Sequence, residues 1–346
     1  MTYKEIIENA KDNMGFCKAC IVCNGKVCKN SIPGPGAKGV GDVAIRNYDK
    51  WQNIRLNMDT ICENKEIDTE FDFLGKKFKY PIFSGPIGAV EKHYGDKYTE
   101  EEYNNIMLKA CNDSGILAFT GDGVNSNIMI EATKQIKKQN GMGIPTVKPW
   151  SINVIEEKLK LVKDSNAFAF AMDIDAAGLP FLKNLTPKAG SKTVEELREI
   201  KQISNLPFII KGIMTAKGAL KAIEANADAI VVSNHGGRVL DQTPATAEVL
   251  PEIVDAVDSF YGGKKNRKIR ILVDGGIRTG ADILKALAIG ADGVLIARTF
   301  VIALYGGGYD GVVSFANQLG SELEDAMSMC GVHSLADIDK SIVRIL

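Results

Sequence analysis

From Tyr80 onward the chain repeats one alternation: a short apolar run rich in β-formers, then a longer stretch with apolar residues on one helical face. Eight such runs can be counted: YPIFSGP from Tyr80, GILAF from Gly115, GIPTV from Gly143, AFAFAMDI from Ala167, PFIIKG from Pro207, DAIVVSN from Asp228, IRILVDG from Ile269 and ADGVLIAR from Ala291. Strands that are apolar on both faces belong to a parallel sheet covered by helices, and eight of them suit closure into a barrel. Between the runs, residues 217–226 and 282–289 read as amphipathic helices, the second stopped by Gly290. EANADAIVVSN and AIGADGVLIAR look like two copies of one helix–turn–strand unit. The sequence therefore predicts an α/β fold, a (β/α)8 TIM barrel over residues 80–346 with one or two closing helices after Tyr305. Residues 1–79 read as an N-terminal extension holding a helix, a Cys-rich segment, the stretch IPGPGAKGVG and a hairpin, FDFLGKKFKY, that caps the barrel floor.

In such barrels the chemistry sits at the C-terminal ends of the strands. The segment SNHGGRVLDQTPAT, residues 233–246, follows the sixth run. His235 there can take a hydroxyl proton near neutral pH, and Arg238, beyond two glycines, can offer a planar fork to a carboxylate. The chain has three histidines, so a histidine base has few candidates; His93, after the first run, reads as a surface residue, with an extra substrate contact as the alternative. The segment DGGIRTGADILKALAIGADGVLIAR, residues 274–298, offers glycine amides and a helix start to a phosphate, with charge from Arg278 and Arg298. Alone it indicates only a phosphate-bearing ligand. Lys211, ending the fifth run, needs an anionic partner. Asp173, ending the fourth, is placed to orient His235; Asp175 competes, because a shift of two residues keeps the same face of a strand.

Together these residues resemble the FMN-dependent α-hydroxy acid oxidase and dehydrogenase family, which includes glycolate oxidase and lactate oxidase. The resemblance runs from about residue 36 to 298 and rests on SNHGGRVLD and DGGIRTGADILKALAIGA. It implies FMN as cofactor, with Pro86, Ile87 and Gly88 giving backbone contacts to the flavin and Thr120, Lys148, Lys211 and Ser233 beside its ring. Asp274, Gly276, Arg278, Ala297 and Arg298 would hold the ribityl phosphate end. His235 would be the catalytic base, backed by Asp173, and Arg238 the substrate clamp. The reaction implied is oxidation of a small L-2-hydroxy acid to the 2-keto acid, with oxygen or another electron carrier as acceptor, in a homo-oligomer of four or eight subunits. Three departures stand out. VKPW puts Lys148 and Trp150 where the family has a glutamine and a tyrosine, which makes Trp150 a candidate substrate contact. IPGPGAKG offers no counterpart to an N-terminal substrate tyrosine, and AAGLPFLKN lacks a second substrate arginine. Other readings of the same barrel are a type 2 isopentenyl diphosphate isomerase-like FMN enzyme, an IMP dehydrogenase-like enzyme, which would need a catalytic cysteine after the sixth run, and a non-catalytic flavin or redox sensor.

Four of the seven cysteines fall in CKACIVCNGKVC: Cys17, Cys20, Cys23 and Cys28, spaced C-x2-C-x2-C-x4-C. Four thiolates this close can wrap zinc or an iron–sulfur cluster, and the first three spacings match a ferredoxin run while the fourth does not. Reduced thiols or a redox disulfide are the competing readings. Cys62, Cys111 and Cys330 read as ordinary buried thiols. With 42 basic and 43 acidic side chains, nothing draws the chain toward nucleic acid or an anionic membrane. MTYKEIIENAKDNMGF lacks the apolar run of a signal peptide, and no window reaches the roughly 18 apolar residues of a membrane span. These features predict a cytoplasmic protein whose partner is a small molecule.

Overall fold

A computed structural model describes residues 1–346 except 33, 181, 183–185 and 187. Three short strands precede the barrel: β1 (Ile54–Leu56), then the hairpin β2 (Phe71–Phe73) and β3 (Lys76–Phe78). Eight parallel strands follow and close on themselves: β4 (Ile82–Ser84), β5 (Leu117–Thr120), β6 (Ile144–Val147), β7 (Phe170–Asp173), β8 (Phe208–Ile213), β9 (Ala229–Val232), β10 (Arg270–Val273) and β11 (Gly293–Ile296). Each coincides with one of the eight runs, β5 and β8 extending one residue past theirs. A last strand, β12 (Val343–Ile345), pairs antiparallel with β1 and ties the end of the chain to the extension. Among the described residues no helix is long and apolar enough to cross a membrane.

The continuous apolar character of the barrel runs has a simple cause: both faces of the sheet are buried. Outward side chains join the helices, while inward ones form a separate cluster with the hairpin's Phe71, Phe73 and Phe78. Phe73 meets Phe83 edge-on at 4.9 Å between ring centroids and plugs the barrel floor. Full burial of one such ring is worth about 1.5–3 kcal/mol, so this short hairpin is held by its phenylalanines more than by its ladder.

Helix α1 (Tyr3–Asn13) starts at a capping box in which Thr2 and Glu5 satisfy each other's backbone N–H groups. Its buried Ile6, Ile7 and Ala10 pack on the helix Arg298–Met329. That helix begins ahead of Tyr305, where the sequence reading placed its closing helices, and it is interrupted at Gly308 (φ 57°, ψ −139°). A second extension helix, α2 (Asp42–Gln52), was not foreseen. Trp51, fully buried, donates from Nε1 to the Gly275 carbonyl at 2.8 Å. Asn47 and Asn234 exchange side-chain amide hydrogen bonds of 2.7 and 2.9 Å. α2 thereby fixes the loops after β9 and β10. At Gly276 (φ 85°) a Cβ would fall 2.1 Å from the Asn47 carbonyl oxygen, so this close approach requires glycine.

Candidate active site

The C-terminal ends of the barrel strands surround one large cavity. Of the residues expected around a flavin, Pro86, Ile87, Gly88, Lys148, Lys211, Asp274, Gly276, Arg278, Ala297 and Arg298 line it, together with His235 and Arg238. Four expected residues, Asp173 among them, lie behind the wall. Ser233 is fully buried, accepting from Lys211 Nζ at 3.0 Å and donating to Asp274 at 2.9 Å. Thr120 is buried with its hydroxyl lacking any partner. Trp150, the candidate substrate contact, is fully buried and donates from Nε1 to Asp122 at 2.7 Å. Asp122 also accepts from Lys158 Nζ at 2.7 Å and from the Lys148 backbone N–H at 3.0 Å. The indole thus serves a buried knot under the rim, which corrects the expectation that Trp150 faces the substrate.

The structure also decides between the two aspartates. His235 Nδ1 lies 3.0 Å from Asp175 Oδ1, whereas Asp173 pairs with Lys148 Nζ at 2.5 Å. The expectation that Asp173 backs the imidazole fails because strand alternation ends there. β7 stops at Asp173 and the chain turns into a 3-10 helix, Ile174–Gly178, which carries Asp175 toward His235. Room for Asp175 comes from an irregularity in β8 between Lys211 and Ile213, where Gly212 (φ 106°) would drive a Cβ to 2.7 Å from the Asp175 side chain.

Charges at the rim interleave. Burial pushes Asp173 up, but Lys148 and then Lys211 outweigh it and the carboxyl ends below its ordinary range. Burial likewise pulls Lys211 down, yet Asp274, Asp175 and Asp173 together leave its ammonium more firmly protonated than usual. His235 moves the other way: burial, then Lys211 and Lys148, hold it well below 6.5, so the imidazole is neutral at pH 7. Its Nδ1–H can then donate a hydrogen bond to Asp175, leaving the Nε2 lone pair free to accept a proton. We expect Asp175→Asn to slow any reaction that charges His235 about tenfold, the order of one charge-assisted hydrogen bond. The rate of flavin reduction in stopped flow checks this, and an unchanged rate would remove Asp175 from the site.

The three guanidiniums that line the cavity have no carboxylate partner among the described residues. Arg238 donates to the carbonyls of Gly34 and Gly36, Arg278 to those of Cys23 and Ile277, and Arg298 to that of Gly236. Burial lowers the Arg238 pKa. An anion arriving here meets fixed, unneutralised charge. Among the wall residues unmarked by any motif are Asn47, from α2, and Tyr94. His93, expected at the surface, also lines the cavity and accepts the Gly34 N–H on Nδ1 at 3.2 Å, with its pKa pushed down to about 3 by burial and then by Arg238. No local pattern signals these three, because each arrives by packing of the extension or of the first barrel loop. Part of the stretch read as lacking a second arginine, residues 176–184, lies outside the described residues.

The cavity suits FMN. Glycines at 275 and 276 keep positive φ where a backbone must approach a phosphate, and the buried Asp274 Oδ1 on the cavity wall lacks a partner. Arg278 and Arg298 stand ready for the phosphate, and Lys211 for the anionic edge of a reduced ring. The Cys-rich loop, whose four sulfurs were read as ligands of zinc or an iron–sulfur cluster, wraps beside Arg278 and Arg298, and no three His, Cys, Asp or Glu side chains among the described residues converge as ligands of a single ion. Cys111 and Cys330 are buried as expected, but Cys62 is exposed.

Comparison with known proteins agrees with this geometry. A 2-hydroxyacid oxidase of Dictyostelium discoideum is 45% identical over 153 residues, which cover 44% of this chain and only 37% of that protein's length. 2-Hydroxyacid oxidase 2 of Bos taurus is 27% identical over 330 residues, covering 88% of this chain and 91% of the relative. A variant of flavocytochrome b2 with sulfite bound shares the fold with a TM-score of 0.80 at 23% identity, over 90% of this chain and 81% of that one. A family model described as FMN-dependent dehydrogenase matches residues 35–184 and 181–345, and the chain belongs to that family.

Proposed function

We propose that the protein oxidises a small L-2-hydroxy acid to the corresponding 2-keto acid. The observation that carries this reading is the placing of a neutral, carboxylate-backed His235 and an unneutralised Arg238 on the wall of one cavity, above the buried cation Lys211. When bound, FMN supplies the two-electron acceptor. Arg238 takes the substrate carboxylate, which orients the hydroxyl toward His235. His235 removes a proton from the substrate at Nε2, and Asp175 stabilises the imidazolium that results. Lys211 and Lys148 supply positive charge beneath the site where negative charge accumulates. The cytoplasm, a homo-oligomeric state, and oxygen or another electron carrier as final acceptor complete the proposal.

The test is direct. Cofactor released by heat from the purified protein is expected to be FMN, and anaerobic addition of a panel of 2-hydroxy acids to bleach the flavin with at least one L-isomer and not with its D-isomer. Finding FAD, or a flavin that no member of the panel bleaches, would sink the reading.

A further inference from the structure

We propose that Tyr94 is a substrate-binding residue whose hydroxyl donates a hydrogen bond to the carboxylate held by Arg238. Tyr94 is only 4% exposed, yet it lines the large cavity, and among the described residues it brings the one hydroxyl group to that wall. The hydroxyls of Tyr80, Tyr305 and Tyr309 all donate to oxygens of the protein, whereas that of Tyr94 has no hydrogen-bond partner among the described residues. Buried tyrosines ordinarily satisfy their O–H groups. One left unsatisfied at a cavity wall is available to whatever enters.

The side chain is held in place before any ligand arrives. Tyr94 ends a single-turn helix, α3 (Val90–Tyr94), in the loop after β4. The first N–H of α3, from Val90, donates to Glu100 Oε1 at 2.6 Å, and the Tyr94 carbonyl accepts the Gly15 N–H at 2.7 Å. The Tyr94 ring packs on that of Tyr305, 6.4 Å between centroids. One residue earlier, His93 accepts the Gly34 N–H, and the Gly34 carbonyl in turn accepts from Arg238. α3 and the guanidinium are thus tied to the same glycine of the extension, which brings Tyr94 and Arg238 to one end of the cavity.

Charge then selects the occupant. Burial pushes the Tyr94 hydroxyl up to about 12, so it keeps its proton and acts as a donor. Of the charged groups that act on it, Arg238 comes first and Arg298 second; Tyr94 in turn comes first among those that act on Arg238. The hydroxyl therefore belongs with the guanidinium proposed for the substrate more than with the one proposed for the phosphate. A carboxylate has room for several donors. Arg238 has NH1 engaged with the carbonyls of Gly34 and Gly36, so its other N–H groups and one hydroxyl can share the two carboxylate oxygens. The assignment rests on the proposed hydroxy acid oxidation and deepens it, because recognition by a cation and a neutral donor together specifies a carboxylate at this end of the substrate.

Tyr94→Phe removes one oxygen and keeps the ring on Tyr305. In the FMN-loaded full chain, with the 2-hydroxy acid that bleaches the wild-type flavin fastest, the half-saturating concentration should rise about 10–100-fold, as for one hydrogen bond to a charged group, while the limiting rate falls by less than about threefold. FMN content and melting temperature should match the wild type. Calorimetry with the corresponding 2-keto acid gives a readout free of turnover, and its affinity should fall by a similar factor. Tyr309→Phe, on the outer face of the barrel's last helix, should change none of these. Unchanged half-saturation and unchanged keto acid affinity in Tyr94→Phe would overturn the assignment. So would loss of FMN with substrate half-saturation preserved, which would hand the hydroxyl to the cofactor. A wild-type flavin that no member of the panel bleaches would instead strike the proposed function, and this assignment with it.

Discussion

His235→Gln is expected to leave FMN bound and to slow its reduction by the best 2-hydroxy acid by about 10²–10⁴-fold, the range a positioned base contributes. Glutamine keeps a polar side chain of similar reach but cannot accept a proton at neutral pH. Cofactor binding should survive because the residues proposed for the phosphate lie on the loops after β10 and β11, not on the loop after β9 that carries His235. The pH dependence follows from the direction of the shift. The neutral imidazole is the active form, and burial with Lys211 and Lys148 holds its pKa below 6.5. Wild-type reduction should therefore stay level as the pH falls through 6.5, then decline as His235 becomes protonated. Stopped-flow reduction across the acid range checks both statements. A variant that reduces its flavin at the wild-type rate would show that the base lies elsewhere.

Arg238→Lys should raise the substrate concentration needed for half-maximal reduction about 10–100-fold, with a smaller change in the limiting rate. Its guanidinium already holds the extension through the carbonyls of Gly34 and Gly36. A planar fork can keep that grip and still offer other N–H groups to a carboxylate; a lysine ammonium is a point charge and cannot serve both with the same geometry. The expected loss corresponds to a charged hydrogen bond of about 1.5–3 kcal/mol. A concentration series of flavin bleaching, with FMN content measured alongside, separates substrate binding from collapse of the loop. Unchanged half-saturation would mean that Arg238 serves the extension and not the substrate.

The barrel and most of its rim were legible in the sequence. Parallel strands buried on both faces must be apolar throughout, so each appeared as an uninterrupted run, and the glycine-rich loops after β9 and β10 announced themselves because close backbone approach leaves few alternatives to glycine. Lys211 lies near the end of β8, and His235, Arg238, Asp274 and Arg298 lie in the loops that follow β9, β10 and β11, which the runs locate. What failed depended on where the chain goes after a strand stops. Asp173 and Asp175 share a face only while the strand continues, and a 3-10 turn with a glycine opposite reassigned the histidine to Asp175. Trp150 looked like a substrate contact from its place in VKPW, yet burying its indole required a hydrogen-bond acceptor, which Asp122 provides in the wall. The clamp of Asn47 and Trp51 on the loops after β9 and β10, and the placing of the Cys-rich loop beside Arg298, join residues some 190 to 280 positions apart. Local pattern records hydrophobic period and backbone freedom; which distant side chain satisfies a given buried donor or charge is settled only when the extension packs against the barrel.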